Sequence, residues 1–125
     1  MPAKLLWIAV AGGAGTLARF GLTSAVTRWT GDSFPYGTLT VNVLGSFLFG
    51  VVWILADQRE LISSEARLII LTGFMGAFTT FSTFAFETGQ FLRDAQWLTA
   101  GSNLLLQNVV GITALLLGFA VGRWF

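Results

Sequence analysis

Three polar side chains repeat at one-turn spacing in an otherwise apolar stretch. Thr38, Asn42 and Ser46 are each four residues apart, so a helix places them on one face. Within a membrane, such a stripe must face protein or water. One interpretation is hydrogen bonding between helices. The other is lining of an ion path, because the Asn42 amide has two N–H donors that can replace part of an anion's hydration shell. The spacing alone favours neither interpretation.

A second polar group interrupts the next apolar stretch. Gly73 and Gly76 precede four hydroxyl residues within five positions: Thr79, Thr80, Ser82 and Thr83. These side chains compete for backbone hydrogen bonds and can repair a broken helix. A break frees carbonyl oxygens at the C-terminus of a half-helix, where they can hold a hard cation such as Na⁺. A helix that is only kinked is the alternative.

Two phenylalanines lie within this hydroxyl-rich stretch. Phe81 and Phe84 are three residues apart, so a helix projects them from neighbouring positions. Because an aromatic ring has a positive edge, Phe edges can contact an anion. Filling of lipid-facing or core space is the other interpretation for such a pair.

Arg19 lies two turns inside the first apolar stretch. Insertion of a guanidinium at that depth in a membrane costs a few kcal/mol of free energy. Extension of the side chain to the membrane surface would reduce that cost. Pairing with Asp32 or Glu87 would also reduce it. A functional alternative is an electropositive vestibule that concentrates an anion.

The composition excludes most other chemistry. Of the 125 residues, 54% are hydrophobic and 10% are charged, and the net charge is +1. No basic patch for nucleic acid is available. The chain has no Cys and no His, which excludes thiol and imidazole catalysis and the usual zinc sites. We therefore do not expect an enzyme.

Four stretches reach the length of about 20 apolar residues that spans a bilayer. They are residues 5–26, 37–56, 68–89 and 98–121. A cleaved signal peptide is the alternative for the first stretch. The connections are each near ten residues, so the sequence predicts a single all-α membrane domain, residues 1–125, with its function inside the lipid bilayer.

The charges between the spans orient the chain only weakly. Four basic residues fall on the side of the termini and two on the other side. They are Lys4, Arg59, Arg67 and Arg123 against Arg28 and Arg93. A chain that inserts in both directions can form an antiparallel dimer, and a dimer would hide polar groups that four short helices cannot cover.

The sequence resembles the Fluc (CrcB) fluoride channel family in three blocks. They are residues 12–19 (GGAGTLAR), 37–45 (GTLTVNVLG) and 72–84 (TGFMGAFTTFSTF), and the match covers the whole chain in length and block order. The resemblance implies an antiparallel, dual-topology homodimer with two pores. Each pore would pass F⁻ passively out of the cytoplasm and reject Cl⁻, which lowers fluoride toxicity. The implied location is the bacterial inner membrane.

The resemblance also implies roles for individual residues. Asn42 would lie on the ion path with Thr38 one turn before it. Phe81 and Phe84 would line the pores with Ser82 and Thr83 nearby. A structural Na⁺ would be held by backbone carbonyls of Gly76 and Thr79 at the dimer centre. Arg19 matches the family's first-helix Arg, and this position would form the vestibule.

The fourth helix departs from the family pattern. Family members often have Tyr or His there, followed at one-turn spacing by Ser or Thr. Here Asn108 takes the first position, but Ile112 and Leu116 follow. Asn108 and Thr113 are the predicted pore residues of this helix, and Gln107 is a further candidate.

Two other hypotheses fit four short spans. A small multidrug exporter resembles this chain in length, but such exporters have a Glu in the first helix, where this chain has Arg19. A subunit that packs against a larger membrane protein and transports nothing is the third hypothesis.

Overall fold

The computed structural model describes residues 2–125, and these residues form helices without any strand. Three spans are single helices: α1 (Pro2–Thr30), α2 (Tyr36–Asp57) and α6 (Trp97–Gly122). The third span consists of α3 (Ser64–Leu68), a π-helical segment (Ile69–Met75), α4 (Gly76–Phe78) and α5 (Phe81–Arg93). The predicted all-α class is confirmed.

All four helical spans are long and apolar enough to cross a membrane. They cover Pro2–Thr30, Tyr36–Asp57, Ser64–Arg93 and Trp97–Gly122. Each contains one of the stretches that the sequence predicts and extends beyond it at both ends. The long apolar side chains of α1, among them Leu5, Trp7 and Leu17, are mostly exposed, as expected of a lipid-facing surface.

Local chemistry sets the helix ends. α1 stops at Gly31, whose φ of +78° is in the left-handed region, and the Gly31 N–H donates to the Thr27 carbonyl at 2.8 Å. α3 begins after Ser63, whose side-chain oxygen accepts from the Ala66 N–H at 3.1 Å. The short loops leave consecutive spans antiparallel and adjacent.

α2 and α6 form the most extensive helix pair, and glycines allow their close approach. A Cβ on Gly118 would collide with the Phe47 carbonyl of α2. A Cβ on Gly50 would collide with the Leu115 carbonyl of α6. Because the obstructing atoms are backbone atoms, they cannot move aside as a side chain would.

α1 packs against the first half of the third span. A Cβ on Gly15 would collide with the Phe74 carbonyl, and one on Gly73 would lie 2.9 Å from the Ala11 Cβ. The buried core between α2 and the third span contains Val41, Leu71, Met75 and Phe78. The first half of the third span is therefore fixed from two sides.

We expect Gly118→Ala to destabilise the protein by about 1–3 kcal/mol, because the added methyl group overpacks the contact between α2 and α6. Thermal unfolding of the purified protein in detergent measures this change. Gly101→Ala on the same helix is the matched control, since a Cβ there meets no side chain or neighbouring helix within 4 Å among residues 2–125. Equal melting temperatures for the two variants would contradict the close contact.

Candidate functional site

The third span is interrupted at Thr79 and Thr80, whose backbones are extended, with ψ of 158° and 115°. The Thr79 N–H and its Oγ1 both donate to the Met75 carbonyl, each at 3.0 Å. The Thr80 Oγ1 caps α5 by accepting from the Thr83 N–H at 3.2 Å. The helix is therefore broken rather than kinked, and hydroxyl groups repair the break as the sequence predicts.

The Asn42 side chain on α2 forms hydrogen bonds with the backbone at the break. Its Oδ1 accepts from the Thr80 N–H at 2.8 Å, and its Nδ2 donates to the Thr80 carbonyl at 3.1 Å. The same Nδ2 donates to the Gln107 Oε1 at 3.1 Å. One amide thus satisfies both backbone groups of an extended residue and joins α2 to α6. Beside it, α2 approaches so closely that a Cβ on Gly45 would collide with the Thr79 side chain.

A second polar contact lies one turn away on α2. Thr38, 2% exposed, donates from Oγ1 to the Glu87 Oε2 at 2.8 Å. Next to Glu87, Thr88 accepts from the Asn103 Nδ2 at 3.0 Å, and Asn103 is completely buried. Together with Asn42 and Gln107, these residues connect α2, α5 and α6 by polar side chains inside the membrane span.

A groove of about 600 Å³ runs along these helices. Its polar lining includes Asn42, Thr79, Thr80 and Gln107, and its aromatic lining includes Phe81 and Phe84. Ser46, the third member of the stripe on α2, lines it too. Thr38 is on the same helix face but is enclosed against Glu87 rather than in the groove.

The two phenylalanines meet edge to face, with ring centroids 5.6 Å apart and ring planes at 67°. Phe84 is 8% exposed and Phe81 is 77% exposed. Phe84 therefore lies in the interior of the chain and Phe81 lies on its surface. Ser82 is exposed and Thr83 is half-buried beside the Thr80 cap.

The three candidate pore residues of α6, Gln107, Asn108 and Thr113, differ in exposure and in contact with the groove. Gln107 lines the groove and contacts Asn42. Asn108 also borders the groove, but it is exposed and donates to the Leu104 carbonyl of its own helix at 2.8 Å. Thr113 is exposed and does not line this groove. Pore roles for Asn108 and Thr113 stay predictions.

Arg19 pairs with neither of the acids considered above. No ion pair between Arg19 and Asp32 or Glu87 occurs among residues 2–125. Its Nε donates instead to the Ala77 carbonyl at 3.0 Å. That carbonyl belongs to α4, just before the break, where a helix C-terminus carries partial negative charge. Arg19 therefore acts as a cationic cap on the first half of the third span.

Backbone oxygens near the break are of the type that Na⁺ prefers. Gly76 is exposed and Thr79 is half-buried, so this segment lies near the surface of the chain. Residues 2–125 contain no cluster of three or more Asp, Glu, His or Cys side chains that could hold a metal. The backbone carbonyl oxygens at the break are suitable ligands for a hard monovalent cation. The neighbouring Ala77 carbonyl is already used by Arg19.

Sequence reasoning missed Glu87, Thr88 and Asn103 as members of the polar cluster. A signal for Asn103 was present, because Asn103 and Gln107 are four residues apart in an apolar helix, as are Thr38 and Asn42. The family pattern instead points to Asn108, one residue away from the face that meets α2.

These features define a multi-pass membrane protein with a polar and aromatic groove at a broken helix. The model for the CrcB-like protein family, Camphor Resistance (CrcB), matches residues 6–119. The chain therefore belongs to the CrcB-like family.

Curated relatives match along almost the whole length. The protein of Nitrosococcus oceani is 57% identical over 120 residues, covering 96% of each chain. That of Solidesulfovibrio magneticus is 53% identical over 120 residues, with the same coverage. That of Desulforapulum autotrophicum is 47% identical over 123 residues, covering 98% of each chain. All three relatives are named fluoride-specific ion channel FluC.

We expect Arg19→Gln to lower the stability of the purified protein by about 1.5–3 kcal/mol, because the Ala77 carbonyl loses a charged donor at the break. Thermal unfolding measures the loss. Arg59→Gln, an exposed arginine in the loop between α2 and α3, is the control. An unchanged melting temperature together with reduced anion flux would favour the vestibule role over the cap.

Proposed function

We propose that this protein is a fluoride-selective channel that lets F⁻ move passively down its electrochemical gradient. The observation that carries the proposal is the lining of the groove. It contains amides, hydroxyls and aromatic rings but no charged side chain among residues 2–125. Neutral donors can replace the water around a small anion without binding it so tightly that it cannot leave. Family membership and the names of the relatives support this function.

Phe81, Phe84 and the hydroxyl residues give the groove its selectivity in this proposal. Ring edges present a positive potential, and a narrow path beside them favours the smaller halide. Ser82 and Thr83 follow Phe81 on α5 and bring hydroxyl groups beside this path, whereas the Thr38 hydroxyl donates to Glu87 outside the groove. Rejection of Cl⁻ then follows from size and donor spacing.

The working unit that we propose is an antiparallel dimer of two copies with two pores. Exposed groups in the spans support a second copy, because Phe81, Ser82 and Asn108 face outward at membrane depth. Polar groups at that depth need protein or water against them. The weak charge bias between the two sides supports insertion in both directions.

In a bacterial inner membrane such a channel would release F⁻ from the cytoplasm. HF crosses the membrane from acidic surroundings and dissociates inside, where the anion is trapped. A passive pore therefore lowers the internal F⁻ concentration without an energy source. No enzymatic step is part of this function.

We also propose that the Gly76 and Thr79 carbonyls of both copies hold a structural Na⁺. The ion would supply positive charge close to the anion paths. The exposure of Gly76 supports a site shared between copies.

Efflux from liposomes tests the channel proposal. Purified wild-type protein should release F⁻ rapidly, as read by a fluoride electrode, and should release no Cl⁻ in a parallel measurement. Protein-free liposomes give the leak rate. Release of neither ion by a well-folded protein would overturn the proposal and direct attention to the exporter and assembly-subunit hypotheses.

Replacement of Na⁺ by N-methylglucamine should lower the melting temperature of the dimer, because a bound ion stabilises the folded state by mass action. The effect is about 2.7 kcal/mol when the Na⁺ concentration is 100 times the Kd. Thermal unfolding at constant ionic strength provides the measurement. Identical melting curves in the two salts would count against the Na⁺ site.

A further inference from the structure

A separate cleft of about 580 Å³ opens at the end of the helix bundle where the chain begins. It is bounded by α2 and by the starts of α1 and of the third span, and two basic side chains line it, Lys4 and Arg67. We refer to it as the Lys4 cleft. Lys4 and Ser64 belong to the first turns of their membrane-spanning helices, so the mouth of the cleft lies at the membrane surface.

Both basic side chains of the Lys4 cleft have N–H groups without a partner. Lys4 is half-buried but forms no ion pair within residues 2–125. The Arg67 Nη1 lies 3.9 Å from the Asp57 Oδ1, which is beyond hydrogen-bond distance. A guanidinium has five N–H donors, so Arg67 can bind a further oxyanion while Asp57 stays beside it.

The Trp53 ring on α2 orients the Arg67 guanidinium. The Arg67 Cζ lies 4.8 Å from the centroid of the ring. A guanidinium stacked on an aromatic face keeps its N–H edges free for a phosphate or carboxylate. Tryptophan is also enriched at the level of the lipid headgroups. The structure therefore holds a preoriented cation at the depth where lipid phosphates lie.

The inner part of the Lys4 cleft is apolar. Phe49 is one turn deeper than Trp53 on α2, and Leu68 and Leu71 follow Arg67 along the third span. A phospholipid has the same arrangement, with an anionic phosphate at the membrane surface and acyl chains below it. Inorganic phosphate would fill only the polar mouth and would leave the apolar walls uncovered.

The charges of the chain favour a lipid over a second copy as the occupant. Lys4, Arg67 and the exposed Glu65 give the lining a net charge of +1. In the antiparallel dimer proposed above, the partner would bring its opposite end to this membrane surface. The charges beside the spans at that end sum to zero: Arg28, Asp32, Arg93 and Asp94. The partner thus offers no anionic complement to the cleft.

We infer that the Lys4 cleft binds an anionic phospholipid, with its phosphate between Lys4 and Arg67 and an acyl chain along the apolar walls. Basic pockets between membrane helices bind acidic headgroups in this way. The assignment does not depend on which ion the protein conducts. Phe49 and Trp53 also line the polar groove, so a lipid bound here would lie next to it.

Native mass spectrometry of the delipidated wild-type protein tests the assignment. We expect phosphatidylglycerol to bind in preference to phosphatidylcholine from an equal mixture, with one molecule per chain at saturation. Lys4→Gln and Arg67→Gln should each raise the Kd for phosphatidylglycerol about fivefold, because each removes one cation near the phosphate. Glu65→Gln should lower this Kd, since it removes a like charge from the lining. Equal binding of the two lipids by the wild-type protein would overturn the assignment.

Arg59→Gln is the matched control, because it removes the same charge from the exposed loop beside the cleft. It should change the Kd for phosphatidylglycerol little. An increase as large as that of Arg67→Gln would mean that general surface charge attracts the lipid, and would refute a specific site. If the Lys4 and Arg67 variants do not fold, the lipid preference of the wild-type protein and the Glu65→Gln variant decide.

Thermal unfolding separates a lipid from a free anion. Phosphatidylglycerol should raise the melting temperature, because a ligand of the folded state stabilises it by mass action. Inorganic phosphate at the same concentration should not. Equal stabilisation by the two would overturn the lipid in favour of a free phosphate. Absence of bound phosphatidylglycerol from a folded wild-type dimer would mean that the second copy covers the cleft, and would also refute the assignment.

Discussion

A chain that leaves helical geometry inside a bilayer must satisfy its own backbone groups, because lipid offers no hydrogen bonds. The interruption at Thr79 and Thr80 meets this constraint with partners from three directions. Asn42 satisfies both backbone groups of Thr80, Arg19 binds the Ala77 carbonyl, and a hydroxyl caps α5. The remaining helices serve to place these partners. The glycine contacts between α2 and α6 bring Asn42 to Gln107, and α1 holds Arg19 beside α4.

The break explains why polar residues concentrate in so small an apolar protein. Once the third span is divided, its second half begins with Phe81 at the surface and Phe84 in the interior. The lining of the groove combines amide and hydroxyl groups with aromatic rings. Full charges lie outside the lining. A surface of weak, fixed donors suits an anion that must enter and also leave.

The sequence and the folded chain suggest two different roles for Arg19. A lone guanidinium in an apolar helix suggests an electrostatic role for a permeating anion. In the folded chain its Nε bonds to a carbonyl at a half-helix C-terminus, where a cation is favourable. The positive charge of Arg19 can both attract an anion and stabilise the end of the half-helix. The first role affects anion flux and the second affects protein stability.

The sequence by itself determined the four spans, the all-α class and the position of the break. Apolar length, the glycines and the run of hydroxyl residues are local properties, and they act through local hydrogen bonding. Only the tertiary structure decided which polar groups meet. Spacing placed Asn42 on a polar helix face that must meet protein or water, but it could not show that the amide bonds to Thr80 and Gln107. The choice between Gln107 and Asn108 depended on the rotation of α6 against α2, which is fixed by close contacts such as Gly118 with Phe47. Such contacts join residues far apart in the chain, so no local pattern encodes them.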